Sequence, residues 1–91
     1  MKLNNCLICC CHQDNRKEKC KGNRHIFNIS NKQAEKYSWA INYIKEEHKK
    51  GRHIIACLES AGYTFLDDIE MLANYAYAIG DREFYNLIKN I

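Results

Sequence analysis

Five of the six cysteines fall within the first twenty residues, at Cys6, Cys9, Cys10, Cys11 and Cys20, with His12 and His25 among them. A segment so dense in thiols folds either as a disulfide framework in an oxidising compartment or around a thiophilic metal ion in a reducing one. The sequence shows no basic-then-apolar leader and no window of about 18 consecutive apolar residues. Neither a signal peptide nor a transmembrane helix is therefore expected. The expectation is a soluble, cytoplasmic chain whose thiols stay reduced and bind metal.

The spacing says how. Cys6-x2-Cys9 is a knuckle: two thiolates one tight turn apart reach the same tetrahedral ion while backbone amides satisfy their sulfurs. Cys20-x4-His25 supplies a second short pair, giving C-x2-C-x10-C-x4-H. Zinc is the expected cofactor, with Cys6, Cys9, Cys20 and His25 as ligands. Cys9-x2-His12 is an equally legitimate short pair, so Cys11 or His12 stand as replacements, and a set of free thiols is the bland alternative. With four protein ligands the ion has no open position for water, which makes the site structural. Its contribution to folding would be on the order of 10 kcal/mol, enough to hold a segment with few apolar residues.

At 91 residues, with 46% hydrophobic and 27% charged composition, the chain is long enough for one core and one domain over 1–91. No proline and only four glycines argue against a disordered linker or a turn-rich β-sandwich. Residues 1–29 show no helical period and carry one short β-like run, Ile26 to Ile29, among turn formers that include Gly22 and Asn23. Residues 30–91 read as helices. The expected fold is mainly α: three to four bundled helices with a small zinc-stapled N-terminal loop and a short β segment.

Ser30 with Gln33 is a capping box opening a first helix over 31–50, which ends in Lys49-Lys50-Gly51. Ala34, Tyr37, Ile41, Ile44 and His48 trace its apolar stripe. Trp39 and Tyr43 fall nearly opposite Ile41, beside Lys32, Lys36 and Lys50, so the helix has two apolar surfaces. The expectation is that the cysteine-rich segment folds back over Trp39 and Tyr43, with an exposed binding patch as the alternative. A short second helix follows Ile54, Cys57, Leu58 and Ala61 to Gly62, with a strand over 53–58 as the weaker reading. A third starts at Thr64 to Asp67 and buries Phe65, Ile69, Leu72, Ala76 and Ile79 before Gly80. Asp81 caps a fourth in which Phe84, Leu87, Ile88 and Ile91 share a face.

Catalysis is not expected. His53 and Cys57 stand four apart, the minimal geometry for an activated thiolate, but no orienting group or oxyanion donors accompany them. Cys57 lies on an apolar stripe and reads as core. Asp67, Asp68 and Glu70 occupy a first helical turn, where the macrodipole alone favours acids. No Gly-rich phosphate loop, H-E-x-x-H or H-x-E with paired cysteines is present.

Charge is dipolar: residues 1–52 carry twelve Lys/Arg against five Asp/Glu, and residues 53–91 two against six. Two non-enzymatic roles follow. A small zinc-containing nucleic-acid-binding regulator would use Lys17, Lys19, Lys21 and Arg24 on phosphates and stack bases on Trp39 and Tyr43. The cysteine pattern departs from the C2H2 finger, and the acidic start of the third helix repels phosphate. A protein-binding inhibitor would instead use the tyrosine-rich surface, six Tyr in all, with Lys32, Lys36, Trp39, Tyr43 and Lys50 as its contact residues.

In size, in the Cys6-x2-Cys9 and Cys20-x4-His25 constellation and in its helical remainder, the chain resembles small phage-encoded anti-CRISPR proteins of a zinc-bearing type, inhibitors of the type II RNA-guided nuclease. The resemblance implies direct binding to the CRISPR effector nuclease in the host cytoplasm, interfering with target-DNA loading or cleavage without any reaction by the inhibitor. A net charge of +3 makes global DNA mimicry a poor fit, so contact through the basic first helix is the expected mode.

Overall fold

The computed structural model describes residues 1–15, 20 and 24–91. Among them the chain is mainly helical: α1 (Asn31–Lys49), α2 (Ile54–Ser60), α3 (Leu66–Ala78) and α4 (Arg82–Lys89). The expected lysines Lys17, Lys19 and Lys21 and the turn formers Gly22 and Asn23 lie outside the described residues. No helix among the described residues is long and apolar enough to cross a membrane.

Each helix begins where local chemistry permits. Ser30 Oγ accepts the Gln33 N–H at 3.1 Å to open α1. His53 Nδ1 accepts the Ile55 N–H at 3.2 Å, so this imidazole caps α2 and does not serve the Cys57 thiol. Asp81 Oδ1 accepts the Phe84 N–H at 3.1 Å to open α4. The start of α3 differs from expectation: the cap position is Phe65, without any side-chain cap bond, and Thr64 precedes the helix. Phe65 is 73% exposed, off the buried stripe assigned to it, because the extended backbone at the cap turns its side chain outward.

α1 packs on α2 and α3, and α3 on α4. The buried stripe of α1 runs through Tyr37, Ala40, Ile41 and Ile44 and meets Cys57, Leu58, Leu72, Ala76, Phe84 and Ile88. Ala40 joins the stripe, whereas His48 leaves it: exposed in the last turn, its Nδ1 lies 3.2 Å from Arg52 O. Ile79 and Ile91, also expected on buried faces, are exposed, the first at the C-cap of α3 and the second just past the C-cap of α4.

The first 29 residues join this same core. Leu3 and Leu7 are buried among the helices, each worth about 1.5–3 kcal/mol of burial. The expected strand over 26–29 is absent. Those residues run extended beside the N-terminus through Leu3 N to Phe27 O (2.7 Å) and Ile29 N to Met1 O (3.0 Å), but the pairing amounts to an isolated bridge between Lys2 and Asn28. With only a bridge for a ladder, this segment needs another source of rigidity.

The Asp81 carboxylate also pairs with Lys45 at 2.6 Å, both side chains three-quarters buried, tying α4 to α1. Asp81→Ala removes cap and ion pair together and should cost about 1.5–3 kcal/mol in urea unfolding. Asp81→Asn keeps the cap acceptor and should lose less than half of that.

Candidate metal centre

The knuckle is built by backbone bonds before any side chain is considered. Cys10 N–H donates to Cys6 O at 2.9 Å, and Cys6 N–H donates to Cys11 O at 2.9 Å, closing a tight loop over 6–11. Closing it requires a left-handed residue, and Cys10 takes that role at φ 64°, at a cost of about 1–2 kcal/mol that glycine would avoid. Asn5 Nδ2 braces the strained residue by donating to Cys10 O at 3.1 Å.

The loop is fastened to the helices by one side chain. Asn74, on α3 and 3% exposed, donates through Nδ2 to Leu7 O at 2.8 Å and to Ile8 O at 3.3 Å. These are carbonyls inside the knuckle that a strand or helix would otherwise satisfy. Leu7 is buried in the helical core beside them, so the loop is held by packing and hydrogen bonding at the same place.

This scaffold brings Cys6, Cys9, Cys20 and His25 together, with their donor atoms all within 4.8 Å of one another. Cys6 Sγ lies 3.8 Å from Cys20 Sγ, and Cys9 Sγ lies 3.4 Å from His25 Nδ1. For a tetrahedral ion with bonds of about 2.3 Å to sulfur and about 2.05 Å to nitrogen, the S to S edge is about 3.8 Å and the S to N edge about 3.6 Å. The donor set and these edges fit a thiophilic metal ion and are compatible with zinc. No disulfide joins Cys6 to Cys20, and none of the six cysteines is part of one.

The electrostatics favour an anionic Cys6. Burial opposes its ionisation, but N–H groups of Cys9, Ile26 and Ile8 aim at the sulfur, the last two at 3.3 and 3.4 Å, and bring the thiol down from 9.0 to about 6. Such amide bonds are what a metal-bound thiolate uses to disperse its charge. Burial pushes the thiols of Cys9 and Cys10 up instead.

The replacement ligands fare differently. His12 is exposed and turned away, its Nδ1 accepting the Asp14 N–H at 3.1 Å. Cys11 is buried alongside, its Sγ 3.5 Å from His25 Nδ1, outside the converging set. Asn74 was the missed participant, since nothing local in α3 signals that its amide serves carbonyls near the opposite end of the chain.

The partner-surface residues occupy α1. Trp39 is 58% exposed and is not covered as expected; the described part of the cysteine-rich segment packs through Leu3 and Leu7 on the helical core. Its indole stacks on Tyr43 at 5.2 Å and 14°. Arg52 Nη1 donates to the Tyr43 hydroxyl at 3.4 Å, a neighbour absent from the expected set. Lys32 and Lys36 are exposed near Trp39, while Lys50 lies just past the helix end with its Nζ 3.8 Å from Glu47.

Comparison with protein-family models, with curated proteins and with solved structures finds no match for this chain.

Cobalt(II), a probe of tetrahedral thiolate sites, should bind the metal-free chain with strong thiolate-to-metal absorption. Cys6→Ser, Cys20→Ser and His25→Ala should abolish that spectrum, while Cys10→Gly and His12→Ala retain it. Asn74→Ala should weaken metal binding by roughly tenfold. Folding lowers the Cys6 pKa, so its ionisation stabilises the metal-free fold in full above pH 9.0 and progressively less as pH falls towards about 6. The Cys6 contribution to stability measured by unfolding at several pH values should therefore rise across that window, and Cys6→Ser should remove it.

Proposed function

We propose that the chain is a non-catalytic binding protein, stapled by structural zinc at Cys6, Cys9, Cys20 and His25, that inhibits a partner protein by covering part of its surface. The observation that carries this reading is Trp39: a large aromatic side chain left 58% exposed on a rigid helix, stacked on Tyr43 and flanked by lysines. Exposed Trp and Tyr on regular structure supply contact area at little entropic cost, as at the anchors of protein interfaces.

Zinc suits the centre because three thiolates and an imidazole match its preference, and four protein ligands leave no position for substrate or water. The resemblance noted above makes the type II CRISPR effector nuclease the candidate partner, with a phage-encoded inhibitor acting in the bacterial cytoplasm. The basic N-terminal half, Lys32 and Lys36 included, suits an acidic or mixed protein surface.

The test is a mobility-shift series with labelled duplex DNA. The chain is added alone, a guide-loaded type II nuclease alone, and then both together at moderate salt. The expected result is no shift by the chain alone and loss of the nuclease shift in the mixture. Reversing charge at Lys32, Lys36 and Lys50 should restore the nuclease shift. A shift by the chain alone that fades steeply with salt would make it a nucleic-acid-binding regulator instead. An unchanged nuclease shift, with target cleavage also unchanged, would remove that partner.

A further inference from the structure

Beside Trp39 the surface folds inward into an open groove of about 540 Å³ between α1 and the turn joining α2 to α3. Ala40 and Ala61 line it with small side chains, and Gly62 adds none; at φ 92° a Cβ there would meet nothing within 4 Å. Two aromatic rings, Trp39 and Tyr63, stand in its lining. Small residues sharing one lining with two rings leave room for one inserted side chain of aromatic or large aliphatic size.

The charges around it are uneven. Lys32 and Lys36 line the α1 side, while Asp67 and Asp68 begin α3 beyond the turn, close enough for Asp68 to act on the Tyr63 phenol. A complementary ligand therefore carries its carboxylates towards α1 and none towards α3. Glu35 also lines the groove. Its carboxylate, between Lys32 and Lys36 in sequence, repels an evenly charged phosphate backbone, whereas a peptide can set spaced carboxylates against the two lysines and donate a backbone N–H to Glu35. Peptide therefore fits better than nucleic acid.

We infer that this groove is the docking site for an extended acidic segment of a partner protein, which inserts one aromatic or large aliphatic side chain between Trp39 and Tyr63 and sets neighbouring carboxylates against Lys32 and Lys36. The inference rests on the protein-binding reading above and adds the chemistry of the segment it recognises. Phe65 and Leu66, 73% and 83% exposed, follow Tyr63 by two and three residues at the start of α3.

Trp39 is the sole tryptophan, so its emission reports the groove directly. The probe is a short synthetic peptide with a run of Asp and Glu followed by one Phe, titrated into the zinc-loaded chain. The expected result is a saturable blue shift, with affinity lowered by roughly tenfold or more when Ala replaces the Phe or when the chain carries Lys32→Glu and Lys36→Glu. Both lysines are exposed, and circular dichroism checks that the charge-reversed chain keeps its helices. With a fluorescent label on the peptide, anisotropy should show Trp39→Ala to be equally weak.

No emission change with the acidic peptide, or an equal response to the Ala peptide, overturns the proposal. So does tighter binding of oligothymidylate. The two readings fail separately. A silent peptide titration with nuclease inhibition intact removes the groove and keeps the inhibitor. A responding titration without nuclease inhibition keeps the groove and removes that partner.

Discussion

A stretch whose described residues hold no α-helix or strand, only one turn of 3-10 helix at Gln13–Asn15 and isolated bridges, keeps a shape only if something other than a backbone ladder closes it. In the first 29 residues that role falls to three thiols and an imidazole converging within 4.8 Å. Held at that distance without an ion, deprotonated thiolates would repel one another, and protonated thiols offer only weak hydrogen bonds in exchange for ordering the loop. A tetrahedral cation reverses the balance, because each ligand bond forms only in the folded arrangement and so adds directly to folding. The strained Cys10, the bracing Asn5 and the amide cage around Cys6 make sense as parts of one preorganised donor set.

The same segment is not a separate module. Leu3 and Leu7 enter the helical core, and Asn74 answers two knuckle carbonyls from α3. This coupling runs both ways: loosening the cysteine loop withdraws two leucines from the core, and loosening α3 leaves two carbonyls in the loop without a donor. A boundary between a cysteine-rich segment and a helical bundle is clear in composition and blurred in packing.

Features governed by neighbours in sequence were legible. Ser30, Asp81 and the pairs Cys6/Cys9 and Cys20/His25 each act through atoms a few residues away or through a spacing with one sensible geometry. Features governed by distant neighbours were not. Asn74 has no local signature because its acceptors lie 67 and 66 residues off. Phe65 fits a helical period by spacing, yet the helix begins one residue later and the cap geometry overrides the period. Trp39 was expected under the cysteine-rich segment on the reasoning that small domains cover their indoles. Where that segment packs is decided by Leu3, Leu7 and Asn74.

That placement bears on why the indole is open. The cysteine-rich segment could have shielded Trp39 and gained roughly 1.5–3 kcal/mol from burying a large apolar side chain. Its described residues dock against α3 through Asn74, and the helical core closes over Tyr37, Ala40, Ile41 and Ile44, with Tyr43 packed against it in part. Stability is thus supplied on one side of α1 by helix packing and at the far end by the donor cluster. The face bearing Lys32, Lys36 and Trp39 stays exposed, with Trp39 stacked at 5.2 Å on Tyr43, which is itself half-buried against the core and takes a hydrogen bond from Arg52. Its exposed residues, Lys32, Lys36 and Trp39, contribute little to the core and so can change with little consequence for folding, whereas Tyr43 cannot.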